Sequence, residues 1–511
     1  MSLMSDAASV NSARDRSWLI LGVIGLAQLM VVLDITVMNI ALPSAQHTLH
    51  FTTADRQWVV TAYTLAFGSL LLLGGRLADL LGRKVTFLIG LAGFAGVSAV
   101  GGASVNFTML ITARACQGAF AALLVPSALS LLTTTFTEAK DRARAFAIYG
   151  AIAGAGGAVG LLLGGALTEY LSWRWTLYVN LIFAGVAFTG GALLLKRQPS
   201  PVKPRLDVPG VLLVSSGVFC LVYGFSNAAT HNWHTPSTYG FLTAGVVLLV
   251  AFALWQRRAA HPLLPPRVVL DRNRGGAYLS MLIGTAGLFG IFLFLTYYLQ
   301  QTLRYSPLVT GVTFLPMSAG LIVAANLSTI RLMPRYGPKP LVALGMLSAS
   351  AGTAWLAQLG PHTGYAAGVL GPMILAGVGV GMIIAPAINT GTFGVAPQDA
   401  GVASATVTVG QMLGGSVGTA LLNTIFAAAV TSYLATHLAS AALIGRRALS
   451  GLALAHGYET GFWWIAGIFA GGVVVAGLLF RRGPLGQAGM ASQAGGGATT
   501  AQAGAGREQV R

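Results

Sequence analysis

Long apolar stretches alternate with short polar connections over almost the whole chain. About 20 residues are needed to cross a bilayer as a helix. On that measure fourteen stretches qualify: 18–42, 57–74, 85–104, 107–132, 144–168, 176–195, 208–228, 239–256, 276–301, 308–331, 340–359, 365–388, 400–428 and 460–480. A count of twelve would require the seventh and eighth to lie flat in the interface, yet both are full-length apolar runs without a charge. The pattern predicts an all-α polytopic membrane protein with its spans grouped 6+2+6.

Composition agrees. Of the 511 residues, 55% are hydrophobic and 8% charged, far too little charge for the surface of a soluble protein of this length. The 67 glycines suit helices that pack backbone to backbone in lipid. In a soluble domain the net charge of +17 would point to nucleic acid. Here the basic residues fall in short connections, and no nucleic-acid module is present. With the N-terminus in the cytoplasm, 24 of the 30 Lys and Arg lie on the cytoplasmic side. Arg56, Arg174, Arg304, Arg446 and Arg447 lie outside, and Arg114 lies within a span. The positive-inside rule thus puts both termini in the cytoplasm of a plasma-membrane protein. Cys116 and Cys220 fall within spans and give no disulfide framework. The first stretch is too long for the apolar core of a signal peptide.

The expected divisions are a cytoplasmic tail 1–17, a six-helix bundle 18–200, an inserted helix pair 201–258, a second six-helix bundle 259–482 and a disordered tail 483–511. The longest outer connection, 429–459, fits either a helix or a hairpin. A repeat supports the two bundles. The loop Gly75-Arg76-Leu77-Ala-Asp79-Leu-Leu-Gly82-Arg83-Lys84 superposes on Ile330-Arg331-Leu332-Met-Pro334-Arg-Tyr-Gly337-Pro-Lys339, each following the second helix of a set. Arg76, Leu77, Gly82 and Lys84 meet Arg331, Leu332, Gly337 and Lys339. Two related halves around a midplane site are the architecture of alternating-access carriers.

The chemistry centres on Asp34. Of the 13 acids, the other twelve lie in tails, loops or at segment ends, whereas Asp34 is deep in the first span. A carboxylate at that depth costs about 3 kcal/mol on insertion scales, so it marks a proton or cation site. It lies eight residues before the outer end of its span, about 12 Å below the boundary, and Arg114 lies at the same depth in the fourth span. Burial disfavours the charged carboxylate and a guanidinium favours it, so a conformational change can switch proton affinity. The alternative is a static ion pair joining the two spans. In the cytoplasmic loop, Gly75 and Gly82 allow tight turns. There Asp79, with Arg83 and Lys84, can latch onto a helix terminus or an arginine of the facing half; topology alone already accounts for the two cations. Glycines at 150, 154, Gly156, Gly160, Gly164 and Gly165 form small-residue ladders on the fifth span. Asn39, Tyr63, Gln117, Tyr149, Tyr297, Tyr298, Asn326, Asn389 and Gln411 are candidates to line a mostly apolar cavity for amphipathic cargo, each weighed against simple packing.

No phosphate-binding Gly-x-x-x-x-Gly-Lys-Ser/Thr loop, Cys/His metal cluster or nucleophile–base set occurs. His231 and His234 read as loop residues rather than a metal site. The expectation is a carrier without cofactor or metal, driven by the proton gradient, and not an enzyme.

These motifs resemble the major facilitator superfamily, and within it the fourteen-helix drug:proton antiporters. Gly75-x-Leu77-x-Asp79-x-x-Gly82-Arg83-Lys84 is similar to the superfamily's loop between helices 2 and 3. Leu33-Asp34-x-Thr36-x-x-Asn39-x-Ala41-Leu42-Pro43 resembles the helix 1 motif of the fourteen-helix group, and Trp173-Arg174-Trp175 with Val179-Asn180 its helix 5–6 connection. Arg114-x-x-Gln117-Gly118 resembles the helix 4 motif that the family links to proton coupling. One motif departs: in the helix 5 signature Leu161 stands where proline is usual and Ala147 where its first glycine is usual, while the glycine ladder remains. The resemblance implies a major facilitator fold, a monomer, and proton-coupled export of drugs or antibiotic-like molecules. Competing readings are a dedicated exporter of one endogenous metabolite, lipid or self-made antibiotic, an importer by proton symport, and a non-transporting sensor.

Overall fold

In the computed structural model the described residues are 2–52, 55–136, 138–196, 207–231, 235–259, 263–264, 266–360, 363–395, 400–437 and 445–483. The expected tail beyond Gly483, the basic connection 197–206 and His234 lie outside them, as does the side chain of Asp79.

The described residues form helices, which suits apolar segments that must satisfy their own backbone polar groups in lipid. In order these are α1 Ser2–Leu49, α2 Arg56–Leu81, α3 Arg83–Gly102, α4 Phe107–Thr135, α5 Ala139–Tyr170 and α6 Trp175–Leu194. Next come α7 Val208–His231, α8 Pro236–Gln256, the short α9 Pro266–Val269 and α10 Arg272–Tyr297. The last are α11 Pro307–Thr313, α12 Leu315–Leu327, α13 Met333–Tyr336, α14 Pro338–Leu356, α15 Leu370–Thr392, α16 Ala400–Thr436 and α17 Arg446–Leu479. Wider π-type turns continue α10 (Tyr298–Thr302), join α12 to α13 (Ser328–Leu332) and open α15 (Tyr365–Val369). Proline stands in the first turn of α8, α11, α12, α13 and α14, where its missing N–H costs nothing. Asn106, Asp271 and Ser306 cap α4, α10 and α11 by accepting backbone N–H bonds.

Eleven helical stretches among the described residues are long and apolar enough to cross a membrane. The other three stretches marked from sequence, in α2, α5 and α14, are helical as well. Two regions carry helix outside the fourteen apolar stretches. The N-terminal segment 1–17 is helical from Ser2 and continuous with the first span. Of the connection 429–459, which fitted either a helix or a hairpin, the described residues are helical apart from His437 and Gly445, because Ala- and Leu-rich sequence propagates α16 to Thr436 and α17 resumes at Arg446. Gly445, at φ +81°, supplies the start of α17.

The internal repeat is visible in the packing. In the first set, α1 packs on α5 and α6, α2 on α4, and α3 on α4 and α6. In the second, α10 packs on α16 and α17, α12 on α15, and α14 on α15 and α17. The two aligned loops make the same turn, with Gly82 at φ +92° and Gly337 at φ +75°. Lys84 Nζ donates to Ala192 O (2.8 Å) and Leu195 O (2.5 Å) at the end of α6. Its counterpart Lys339 donates to Gly477 O (2.5 Å) at the end of α17. Each ammonium therefore neutralises the negative end of the last helix in its own set. The hairpin α7–α8 packs against α2 and α16.

Between the sets, α2 lies against α16 and α5 against α11, a reciprocal arrangement. Hydrogen bonds from the first set to the second, among the described residues, lie toward one end. Tyr297 Oη donates to Gln46 Oε1 (2.7 Å), Gln300 Nε2 to Ile40 O (3.1 Å), and the Leu308 N–H to Glu169 Oε2 (2.9 Å). Arg56 Nε donates to Asn423 Oδ1 (2.8 Å), and the Thr64 and Ser416 hydroxyls meet. These residues cluster at the end of the bundle that is poor in Lys and Arg.

Candidate functional site

Asp34 is on α1, whose one face is held by the α5 glycines. A Cβ on Gly156 would lie 3.1 Å from Val32 Cγ1, on Gly164 2.8 Å from Val37 Cα, and on Gly160 directly on the Thr36 hydroxyl. α1 thus approaches α5 at backbone contact along the stretch that carries Asp34. Leu161, the residue in the usual proline position, is buried, and its carbonyl faces Gly311 of α11. α5 is continuous through it. Gly165 packs on Leu308, where a Cβ would fall 2.6 Å from its Cα.

The other face of α1 meets the Arg114 helix. Arg114 Nη1 donates to Asp34 Oδ2 at 2.5 Å and to Gln117 Oε1 at 3.0 Å. Gln117 Nε2 donates to Asp34 Oδ1 at 3.1 Å and to Ser98 Oγ at 2.7 Å. Asn180 Nδ2 donates to Asp34 Oδ1 at 2.8 Å. Arg114 Nε donates to Val59 O at 3.1 Å, and the guanidinium lies 4.5 Å from the Tyr63 ring centroid. Gly118 permits this, because a Cβ there would collide with Tyr63 O. Asp34, Arg114, Gln117, Ser98, Asn180 and Tyr63 are all buried. A carboxylate with three N–H donors on its two oxygens matches the acceptor-only, ionised group. A buried pair endures only when such extra hydrogen bonds satisfy it, and losing one member costs about 3–5 kcal/mol.

Five helices build this cluster, and two of its members, Ser98 and Asn180, were not among the site residues expected from sequence. Neutral polar residues are common in spans and serve packing, so their spacing alone carries no signal. Asn180 did stand within the quoted Val179-Asn180 motif. The remaining expected residues are dispersed. Asn39 and Asn326 donate to carbonyls of their own helices, Ile35 and Ile322. Tyr149 donates to Gln28 on α1 (2.5 Å). Tyr298 is buried and bonds Gly360 O and Thr363 O within its own set. Asn389 and Gln411 are partly buried on α15 and α16. Gly75 lies in the last turns of α2, and Lys84, beside Arg83, is spent on the end of α6.

Arg56 departs most from expectation. Counted as an outer-loop charge, it is instead the first residue of α2 and is buried. Besides Asn423, its guanidinium lies 4.2 Å from the Tyr297 ring centroid and 4.7 Å from that of Phe426. Such cation–π contacts reach about 2 kcal/mol each when desolvated. Tyr297, expected to line a cavity, is part of this box. No group of three or more metal-ligating side chains occurs among the described residues.

Comparison with known proteins agrees with this architecture. The family model of the Major Facilitator Superfamily matches residues 24–419. The chain is 47% identical over 467 residues to the puromycin resistance protein pur8 of Streptomyces alboniger, covering 91% of this chain and 93% of that one. It is 40% identical to the cephamycin export protein CmcT of Amycolatopsis lactamdurans, covering 78% and 83%. Among solved structures, a bacterial homologue of the human lysosomal transporter Spinster, inward-facing and unoccupied, is similar in fold with a TM-score of 0.61. It is 15% identical and aligns over 91% of this chain and 96% of that chain.

Proposed function

The chain belongs to the Major Facilitator Superfamily of membrane transporters, in the plasma membrane, and from that premise we propose that it exports antibiotic-like amphipathic molecules in exchange for protons. The reading takes all fourteen apolar stretches as spans, arranged 6+2+6 with both termini in the cytoplasm. Two kinds of observation support it: the repeated packing of α1–α6 and α10–α17, and the concentration of Lys and Arg at one end. On that orientation the bonded end is the outer one, so this is the inward-facing state of an alternating-access cycle.

The observation that carries the proposal is the buried Asp34 with its three donors. Its charge is matched by Arg114, and both are sealed from water. When the first half tilts, any shift of α1 against α4 and α6 withdraws donors from the carboxylate and favours its protonation. Proton entry from outside then accompanies cargo release, and proton loss to the cytoplasm, as the donors close again, resets the carrier. Drug export as the direction comes from the relatives named for antibiotic resistance and export.

The test is proton flux in proteoliposomes loaded with a pH gradient and challenged with several antibiotics and amphipathic dyes. Cargo-dependent proton movement in the wild type, absent in Asp34→Asn inserted to the same level, is the expected result. Equal cargo movement with the gradient collapsed and Asp34 neutralised would refute it. A second reading, a dedicated exporter of one compound, is favoured by relatives whose names each specify a single antibiotic; it predicts that one member of the panel alone drives flux.

A further inference from the structure

Among the described residues, the buried side chains that carry a full charge are Asp34, Arg56 and Arg114. Asp34 and Arg114 cancel each other. Arg56 forms no ion pair among the described residues. Its neighbour Asp55 turns its carboxylate back to the Thr52 N–H (3.2 Å) and hydroxyl (2.6 Å). Arg56 Nη2 has no hydrogen-bond partner, and neither has the hydroxyl of Tyr458, whose ring abuts Phe426 at 5.1 Å. The hydroxyl of Thr419, on the face of α16 that carries Asn423 and Ser416, is also without one. A buried cation is ordinarily matched by a carboxylate. This one is covered by π faces and an amide instead.

Where those covering groups come from decides what the charge does. Arg56 is on α2, in the first half. Tyr297 is on α10, and Asn423 and Phe426 are on α16, in the second half. Parting of the halves at this end therefore removes the whole cover at once. Asp55, the adjacent residue, moves with Arg56, but its carboxylate is held by the Thr52 N–H and hydroxyl, and the freed guanidinium gains water. The outer mouth then carries the Arg56 guanidinium on one wall, with the adjacent Asp55 carboxylate tied back to Thr52.

Resting on the carrier reading above, we infer that Arg56 is a charge filter at the outer mouth: uncovered when the halves part, its guanidinium disfavours cationic molecules and admits neutral ones and those bearing a carboxylate. Closing the mouth again needs no proton and no counter-ion, because aromatic faces cover the charge. The filter thus works independently of the Asp34 exchange. It gives the carrier a preference in cargo charge that Asp34, already matched by Arg114, does not supply.

The experiment reads the local potential without needing the cargo. In a Cys116→Ser, Cys220→Ser background, Thr419→Cys places a near-isosteric thiol one turn from Asn423 on α16. Cells carrying this variant are treated from outside with methanethiosulfonates of opposite charge, the anionic ethylsulfonate and the cationic ethyltrimethylammonium. With Arg56 present, the ratio of anionic to cationic labelling rates is expected to exceed that of the Arg56→Gln variant by about tenfold, the size of a unit charge acting across a partly hydrated mouth. Arg56→Lys keeps the charge and should keep the ratio, which separates the filter from mere structural support. An unchanged ratio in Arg56→Gln, or failure of both reagents to reach the thiol, overturns the inference. Loss of proton-driven flux in the wild type would sink the antiport reading while leaving this labelling ratio intact.

Discussion

Arg114 and Arg56 are both fully buried, both stacked on tyrosine rings, and both bonded through Nε to an acceptor on a neighbouring helix. They differ in who supplies the partners. Those of Arg114 come from α1, α2 and α4, all in one half, and include a carboxylate. Those of Arg56 come from α10 and α16 across the interface, and include none. A rigid tilt of one half against the other preserves the first set and dissolves the second. The Asp34–Arg114 site can therefore stay assembled as the halves move and respond to small shifts within its bundle. On the carrier reading, the Arg56 box would exist only while the halves meet at this end. On the proposed reading, burial of the same residue type would serve proton handling in one place and closure in the other.

The contrast breaks most sharply at Asp34. Asp34→Asn keeps a side chain of the same size but removes the titrating group, so proton-driven export should fall by about 100-fold or more, the scale on which a proton-transfer group acts. Membrane insertion measured by immunoblot should stay near the wild-type level. Arg114→Met attacks the same site from the other side and leaves a buried carboxylate without its cation. It should cost about 3–5 kcal/mol of stability, read as a lowered unfolding temperature in detergent. Arg56→Met, by contrast, leaves no orphan charge. Its two cation–π contacts are lost, but so is the desolvation of a guanidinium, and the stability change should stay within about 2 kcal/mol. A larger loss for Arg56→Met than for Arg114→Met would reverse the comparison.

A smaller effect concerns closure of the bonded end itself. Gly165 allows α5 to touch α11, and a Cβ there already falls 2.6 Å from Leu308 Cα. Gly165→Val should therefore hold the two helices apart while leaving Asp34 and its donors intact. Spin labels at Tyr170 and Val309, both exposed, should show a separation larger by a few ångström, about one side-chain diameter, than in the wild type. An unchanged distance would show that this contact does not control the bonded end.

Much of this was legible in the sequence, for identifiable reasons. Helices in lipid need length and apolarity, and both are local properties, so the stretches that form helices could be marked, eleven of them long and apolar enough to cross a membrane among the described residues. Asp34 and Arg114 were legible because a charge at depth is costly enough to be rare, and their matched depths foretold a meeting. The Gly82–Lys84 and Gly337–Lys339 turns were legible as a repeat, although the sequence could not say that each ammonium would bond the end of its own sixth helix. Arg56 was not legible. It stands one residue before an apolar run, next to Thr52, Asp55 and other polar neighbours, where an exposed loop charge is the ordinary reading. Its burial is decided by Asn423, 367 residues away, and by aromatic rings whose positions depend on how the halves meet. Ser98 and Asn180 were obscured for a different reason, since neutral polar groups in spans are too common to stand out.

Tyr63 provides the finest test of how Arg114 is held, and the smallest expected effect. The ring lies 4.5 Å from the guanidinium, but its hydroxyl has no hydrogen-bond partner. If the ring face is what Arg114 uses, Tyr63→Phe retains the contact and relieves an unsatisfied buried hydroxyl, whose burial costs about 1–3 kcal/mol. The variant should export at a rate within about twofold of the wild type, and its unfolding temperature should be equal or slightly higher. Tyr63→Leu fills part of the same space without a π face, and should lose about 1–2 kcal/mol in stability. If Tyr63→Phe were instead as impaired as Tyr63→Leu, the hydroxyl would have a working partner in another state of the cycle. The natural candidate is Asp34 itself, which faces the same guanidinium, and Tyr63 would then join the carboxylate as a second polar group whose bonding changes as α1 shifts.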